Sequence, residues 1–173
     1  MFFELMGTVL AGLAAALLIF AIRRFAPDRL PRWLMPVGAG VAMIAATISS
    51  EYGWYDRVSA SMPEGFVVAQ SVEETAIYRP WTYIAPIRSR FVAVDSGSVR
   101  TNATLPDHRI VDLYFFGRWS PVNTVPVLFD CAGNRSAALV QDVEFNADGT
   151  VPGASWSNMA ADDPVLRTAC EVG

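Results

Sequence analysis

The chain contains no lysine and one histidine, His108, and the two shortages differ in what they exclude. Codon usage in a GC-rich genome accounts for the missing lysines, and nothing functional follows from them. The single histidine is more restrictive. No His-x-x-x-His, no Gly-x-Ser-x-Gly and no phosphate-cradling glycine loop occurs in the chain. A general base or metal ligand could be built from His108, in Pro106-Asp-His-Arg109, with Asp107 or Asp112, but no further partner accompanies them. A lone histidine at a strand entrance is ordinarily a surface or capping residue. Carboxylates are no better placed: Glu73-Glu74 and Asp162-Asp163 are adjacent pairs, and adjacent side chains on a strand point to opposite faces, so Glu73-Glu74 is not an acid/base dyad. The reading is therefore of a protein that is not an enzyme, with no catalytic residue, no metal and no cofactor. Positive charge is also scarce beyond residue 50, where nine arginines meet fifteen acids for a net charge of −6. That balance argues against a nucleic-acid partner, whose phosphates demand a basic surface.

At the front of the chain, charge of either sign is missing over two long stretches, Leu5 to Ile22 and Trp33 to Ser50. At about 1.5 Å per helical residue each covers roughly 27 Å, near the minimum for a bilayer core of about 30 Å. Between them lie Arg23, Arg24, Arg29 and Arg32 against one acid, Asp28. Basic residues beside a span resist translocation, so this pattern predicts a two-span membrane hairpin, residues 1–50, with its loop 23–32 in the cytoplasm and both ends outside. Small residues recur every fourth position, Gly7, Ala11 and Ala15 in the first run and Gly38, Ala42 and Ala46 in the second, a pattern that allows close helix packing in lipid. Trp33 marks the inner edge and Tyr52, Trp54 and Tyr55 the outer one, within an interfacial linker over 51–62. A signal sequence formed by the second run, with Arg23 to Arg32 as its basic region, is the competing reading; no clean small-x-small cleavage site supports it.

Residues 63–173 are then an exported, periplasmic domain with one core in a bacterial inner-membrane protein. The only two cysteines, Cys131 and Cys170, fall in this part. In an oxidising compartment an isolated pair is most simply a disulfide; a redox pair would more usually be Cys-x-x-Cys, and a metal site would bring more ligands at short spacing. Strand signals run over Gly65 to Val72, Arg90 to Val94 with a turn at Asp95-Ser-Gly97, Arg109 to Trp119, Val125 to Cys131 and Arg135 to Glu144, with turns at Ala132-Gly-Asn134 and Asn146-Ala-Asp-Gly149. The last two strands form a hairpin. Asp162-Asp163 before Pro164 starts a helix over Val165 to Val172, which would carry Cys170 back to the strand ending at Cys131. The fold class is a membrane-anchored α+β protein: a two-helix transmembrane hairpin and a small antiparallel β domain with a C-terminal helix.

The order Val127-Leu-Phe-Asp-Cys131, Asn134-Arg135, Asp148-Gly149, Trp156, Pro164 and Cys170 resembles the carboxy-terminal pattern of the surface-adhesin protein E-like domain family, from about Asp112 onward. The resemblance implies a small exported antiparallel β domain with a helix against the sheet and a disulfide from the late strand to the terminal helix. This chain departs from that family's lipoprotein-type signal by its two-span hairpin, so host-matrix adhesion does not carry over.

One segment has the composition of a contact surface: Tyr78-Arg-Pro-Trp-Thr-Tyr83, followed by Pro86, Arg88 and Arg90. Tyr78, Arg79, Trp81 and Tyr83 in a proline-stiffened loop offer large contact area at little ordering cost; the alternative is that Trp81 and Tyr83 cover the core or rest on the membrane surface. The expected function is a protein-interaction domain, an accessory subunit or assembly factor of a membrane complex, with partners in the membrane or periplasm. Two competing classes have their own signs. A small-molecule or lipid binder would show an apolar cavity lined from the Arg109 to Trp119 strand. A hydrolase would show polar groups converging on His108.

Overall fold

A computed structural model describes residues 2–25, 31–139, 146, 150–151 and 155–172, and divides the chain into two compact units, Met1–Arg57 and Val58–Gly173.

The first unit is an antiparallel pair of helices, α1 (Phe2–Phe25) and α2 (Leu34–Tyr52), both long and apolar enough to cross a membrane. Each runs slightly past its uncharged stretch, so that Arg23 and Arg24 occupy the last turn of α1, where cations suit the helix dipole. Arg32 precedes α2, while Arg29 lies outside the described residues. The small-residue ridge of α2 is where the spacing puts it: Gly38, Ala42 and Ala46 all sit on the partly covered face, and a Cβ on Gly38 would collide with Ile19. On α1, Ala11 and Ala15 are likewise partly covered, and the closest approach falls at Gly12. Gly7 is open, whereas a Cβ on Gly12 would stand 2.7 Å from Met43 Cγ. Near the other end of the pair, Ser50 Oγ donates to Glu4 Oε1 at 3.1 Å. The remaining surface of both helices is exposed leucine, isoleucine, valine and phenylalanine, a pattern that water does not favour on an isolated pair. The segment expected as a linker is itself helical, α3 (Trp54–Ala60), and the division between units falls inside it.

The second unit is a curled antiparallel sheet. Its strands are β1 (Phe66–Glu74), β2 (Ile87–Asp95), β3 (Arg100–Asn102), β4 (Leu105–Gly117), β5 (Ser120–Asp130), β6 (Arg135–Ala138) and β7 (Ser157–Asn158), in the order β1-β2-β4-β5-β6-β7 with β3 beside β4. The expected hairpin is β5–β6, with Asp130 opposite Arg135; residues 140–144, the far part of the expected last strand, lie outside the described residues, as do residues 147–149 of the turn after it. Both faces of the central strands are buried. Val94, Val111, Leu113, Val127 and Phe129 pack on one side with Leu166 and Ala169 of the terminal helix, α4 (Pro164–Glu171), and Ile110, Leu128 and Ala137 pack on the other with Leu139 and Val151. Because neighbouring residues alternate faces, Ile110-Val111 and Leu128-Phe129 each feed both layers, at about 1.5–3 kcal/mol per fully buried large side chain.

Three devices hold α4 in place. Asp163 caps it, its Oδ1 accepting from the Val165 and Leu166 N–H groups at 2.9 and 3.2 Å, with Pro164 in the first turn. Arg109 of β4 donates to the carbonyls of Cys170 at 2.8 Å and Val172 at 3.3 Å, satisfying acceptors that a helix C-terminus leaves open. The Cys131–Cys170 disulfide joins the end of β5 to the helix, with Cα atoms 5.9 Å apart.

Candidate functional site: the two ends of the sheet

The antiparallel register sorts the candidate residues to opposite ends of the sheet. The β1–β2 loop and the β4–β5 turn share one end, since Arg90 lies opposite Gly117 and Gly117 opposite Ser120. The β5–β6 turn and His108, which lies opposite Asp130, share the other.

At the first end the segment Tyr78–Tyr83 is a tight loop and not a floppy one. Arg79 N–H donates to the Ala76 carbonyl at 2.9 Å, and Pro80–Tyr83 continues as a turn of 3-10 helix. Thr82, the one buried residue here, ties the loop together: its hydroxyl donates to the Arg79 carbonyl at 2.7 Å and accepts from Ala76 N–H at 2.9 Å. What the loop turns outward is apolar. Ile77, Tyr78, Tyr83 and Ile84 are 88, 78, 62 and 91 % exposed, Trp81 is also exposed, and no acid occurs between residues 75 and 86. The Arg79 guanidinium lies 5.4 Å from the centroid of the Tyr78 ring, a cation–π distance that orients both. Below the loop, Glu73 and Glu74 are spread between two exposed arginines, Arg88 at 3.4 Å and Arg90 at 3.5 Å, pairs of little energetic weight.

Beside this loop an open groove of about 700 Å³ is lined by Val72, Arg90, Val92, Phe115, Arg118 and Trp119, among others. The Arg118 guanidinium lies 5.1 Å from the centroid of the Trp119 ring. Ser89 Oγ is buried at the groove with no hydrogen-bond partner.

The opposite end is polar and closed on itself. Asp130 is buried; its Oδ1 accepts from Gly133 N–H at 2.7 Å, and its Oδ2 accepts both Nε of Arg135, at 3.1 Å, and Nη2 of Arg135. A Cβ at Gly133 would run into that carboxylate, and Asn134 adopts a positive φ of 50° to close the turn. Burial by itself would raise the Asp130 pKa, but the Arg135 hydrogen bond, the Gly133 N–H and the charges of Arg135 and His108 outweigh it and hold the carboxyl below its ordinary value. Trp156 roofs the corner, its ring centroid 5.1 Å from the Arg135 guanidinium and 5.5 Å from the His108 ring.

His108 thus sits three residues inside β4, not at a strand entrance, because the strand begins at Leu105. Its neighbouring carboxylate is neither Asp107 nor Asp112. Asp112 pairs with Arg100 at 3.6 Å, and Asp130 Oδ2 lies 3.9 Å from His108 Nε2, beyond hydrogen-bond reach. Polar groups do gather around His108, but the carboxylate among them is committed to the turn, and no hydroxyl bonds to the imidazole among the described residues. Nor is there, among those residues, a group of three side chains suited to a metal ion. Thr82 and Asp130 were not singled out from sequence, whereas the groove takes Phe115 to Trp119 of its lining from the Arg109 to Trp119 segment named there for a cavity. Asp130 had a signal, an aspartate three residues before a glycine after a strand.

Compared with known proteins, the chain matches no family model, no curated protein and no solved structure.

Proposed function

We propose that the protein is a two-span protein of the bacterial inner membrane whose sheet unit lies in the periplasm and acts by binding a protein partner, as an accessory subunit or assembly factor of a membrane complex. The observation that carries this reading is the Ile77 to Ile84 loop, a run of exposed apolar and aromatic side chains held rigid by a buried threonine. A rigid loop loses little freedom on binding, so its apolar area is available to affinity. The membrane assignment rests on the exposed apolar surface of α1 and α2 and on the arginines that follow and precede them. The resemblance to surface-adhesin protein E-like domains would fit the late strand, terminal helix and disulfide, and favours an exported domain without supplying an activity. The groove favours a second reading, small-molecule or lipid binding. Around His108, a carboxylate already saturated by Arg135 and Gly133 weighs against hydrolysis.

Reporter fusions after Arg32 should be active as cytoplasmic reporters and fusions after Gly173 as periplasmic ones; the reverse pattern overturns the topology. Trp81→Ala should abolish co-purification of a partner while His108→Ala retains it, each at normal abundance and with the disulfide intact. If Trp81→Ala keeps its partners and His108→Ala loses function, binding through the loop is the wrong reading.

A further inference from the structure

We propose that the groove beside the loop is a second binding site, for a single-chain amphiphile with an anionic head. Three observations converge on that class of ligand. The first is size and character: about 700 Å³, within the range of ligand-binding pockets, with Val72, Val92, Phe115 and Trp119 supplying apolar wall. The second is charge. The lining holds two arginines and one carboxylate, Glu74, in a unit otherwise rich in acids. Arg90 is 72 % exposed and held to Glu74 only by a 3.5 Å surface contact, so an incoming carboxylate or phosphate can recruit it at little cost. The third is the kind of wall this is. Val92 lies opposite Phe115 and Arg90 opposite Gly117, so the groove rests on paired strands whose backbone N–H and C=O groups are engaged in the ladder. A peptide lying there would leave its own backbone groups unmatched. An acyl chain has none to match, and each methylene it buries adds roughly fourfold to affinity. The polar contacts are left to the head, at Arg90 and at the guanidinium over Trp119.

This site is independent of the protein-binding loop, and the test separates them. Full-length protein in phosphatidylcholine nanodiscs is irradiated with a diazirine-bearing palmitate analogue, and adducts are located by mass spectrometry. Adducts are expected on the peptides carrying Val72, Phe115 and Trp119, with palmitate competing and hexadecyltrimethylammonium competing at least tenfold more weakly. Val72→Trp, which fills the groove from a partly exposed strand position, should lower groove labelling about tenfold at unchanged thermal stability, and Arg90→Gln should weaken palmitate competition about tenfold. Trp81→Ala should leave labelling as it is. Competition by lysophosphatidylglycerol identifies a one-chain membrane lipid as the source of the anionic amphiphile, and competition by palmitate alone identifies a free fatty anion; either supports the site. Adducts confined to α1 and α2, groove labelling that survives Val72→Trp, or equal competition by the cationic amphiphile overturns it.

Discussion

The two ends of the sheet use the same kinds of residue to opposite effect. Around Asp130, arginine, histidine, tryptophan and an aspartate are turned on one another: the carboxylate is saturated, the guanidinium is stacked and paired, and a disulfide closes the corner. Around Thr82, arginine, tryptophan and tyrosine are turned outward, and the hydrogen bonds run beneath them, fixing the loop from inside. The Asp130 end commits its polar chemistry to the fold, and the Thr82 end holds a surface still. A cluster of titratable residues is therefore poor grounds for catalysis here, while a loop without a single acid is the better candidate for function.

That contrast predicts that damage to the closed corner is read in stability and damage to the open end in binding. The largest stability effect belongs to the cross-link. Replacing Cys131 and Cys170 together by serine releases a loop with a sequence separation of 39 residues, which in the chain-entropy model costs about 4 kcal/mol. Urea unfolding of the purified protein with and without reductant measures it. A reduced protein as stable as the oxidised one would show that Arg109 and the Asp163 cap hold α4 unaided.

Next comes Asp130→Asn, which removes the charge from a buried pair. The expected loss is about 2–4 kcal/mol, toward the lower end because the Arg135 side chain is 42 % exposed. The pH dependence follows from the lowered pKa of the folded state. A carboxyl with a depressed folded pKa contributes stability that is present above its unfolded value, 3.8, and lost as pH falls through the folded one. The difference between wild type and Asp130→Asn should therefore hold constant from neutral pH down to about 5 and shrink below the unfolded value. A difference that stays unchanged well below that value would show that the charge of the carboxylate is not what stabilises the turn.

Much of the closed end was legible in the sequence because its determinants are local. The Asp163-Pro164 start of α4, the Ala132-Gly-Asn134 turn and the cysteine pair each act within a few residues or need no partner to be recognised. β1, β2 and β4 came out within a few residues of their observed limits. β5 was read too short. Its first half carries Pro121, Asn123 and Pro126, poor strand formers, yet β6 pairs only with Val127 to Asp130, so Ser120 to Val125 forms an outer edge, and Pro126 offers its neighbour only a carbonyl, which accepts from Leu139 N–H. The linker was read as interfacial on its aromatics, and the helix α3 there was missed because seven residues give too little periodicity. The groove was legible only in its Phe115 to Trp119 wall. Val72, Val92, Phe115 and Trp119 come from three strands and a turn, and only the register of β1, β2 and β4 brings them together.

The smallest stability effect and the sharpest test of the open end both lie at Thr82. Thr82→Val keeps the side chain's shape and removes its hydroxyl, leaving the Ala76 N–H without its acceptor while the Arg79 carbonyl keeps only the Thr82 backbone N–H. Loss of such a hydrogen bond costs about 1 kcal/mol, which global unfolding scarcely registers beside the disulfide. Binding should respond more strongly. If the Ile77 to Ile84 surface works because it is held in place, freeing the loop adds an ordering cost on association, and partner capture should weaken about tenfold although no contact residue has changed. Thr82→Ser, which restores donor and acceptor, should recover it. Equal capture by Thr82→Val and wild type would mean that the aromatic side chains suffice without the scaffold, and the distinction between a closed end that builds the fold and an open end built for contact would lose its structural basis.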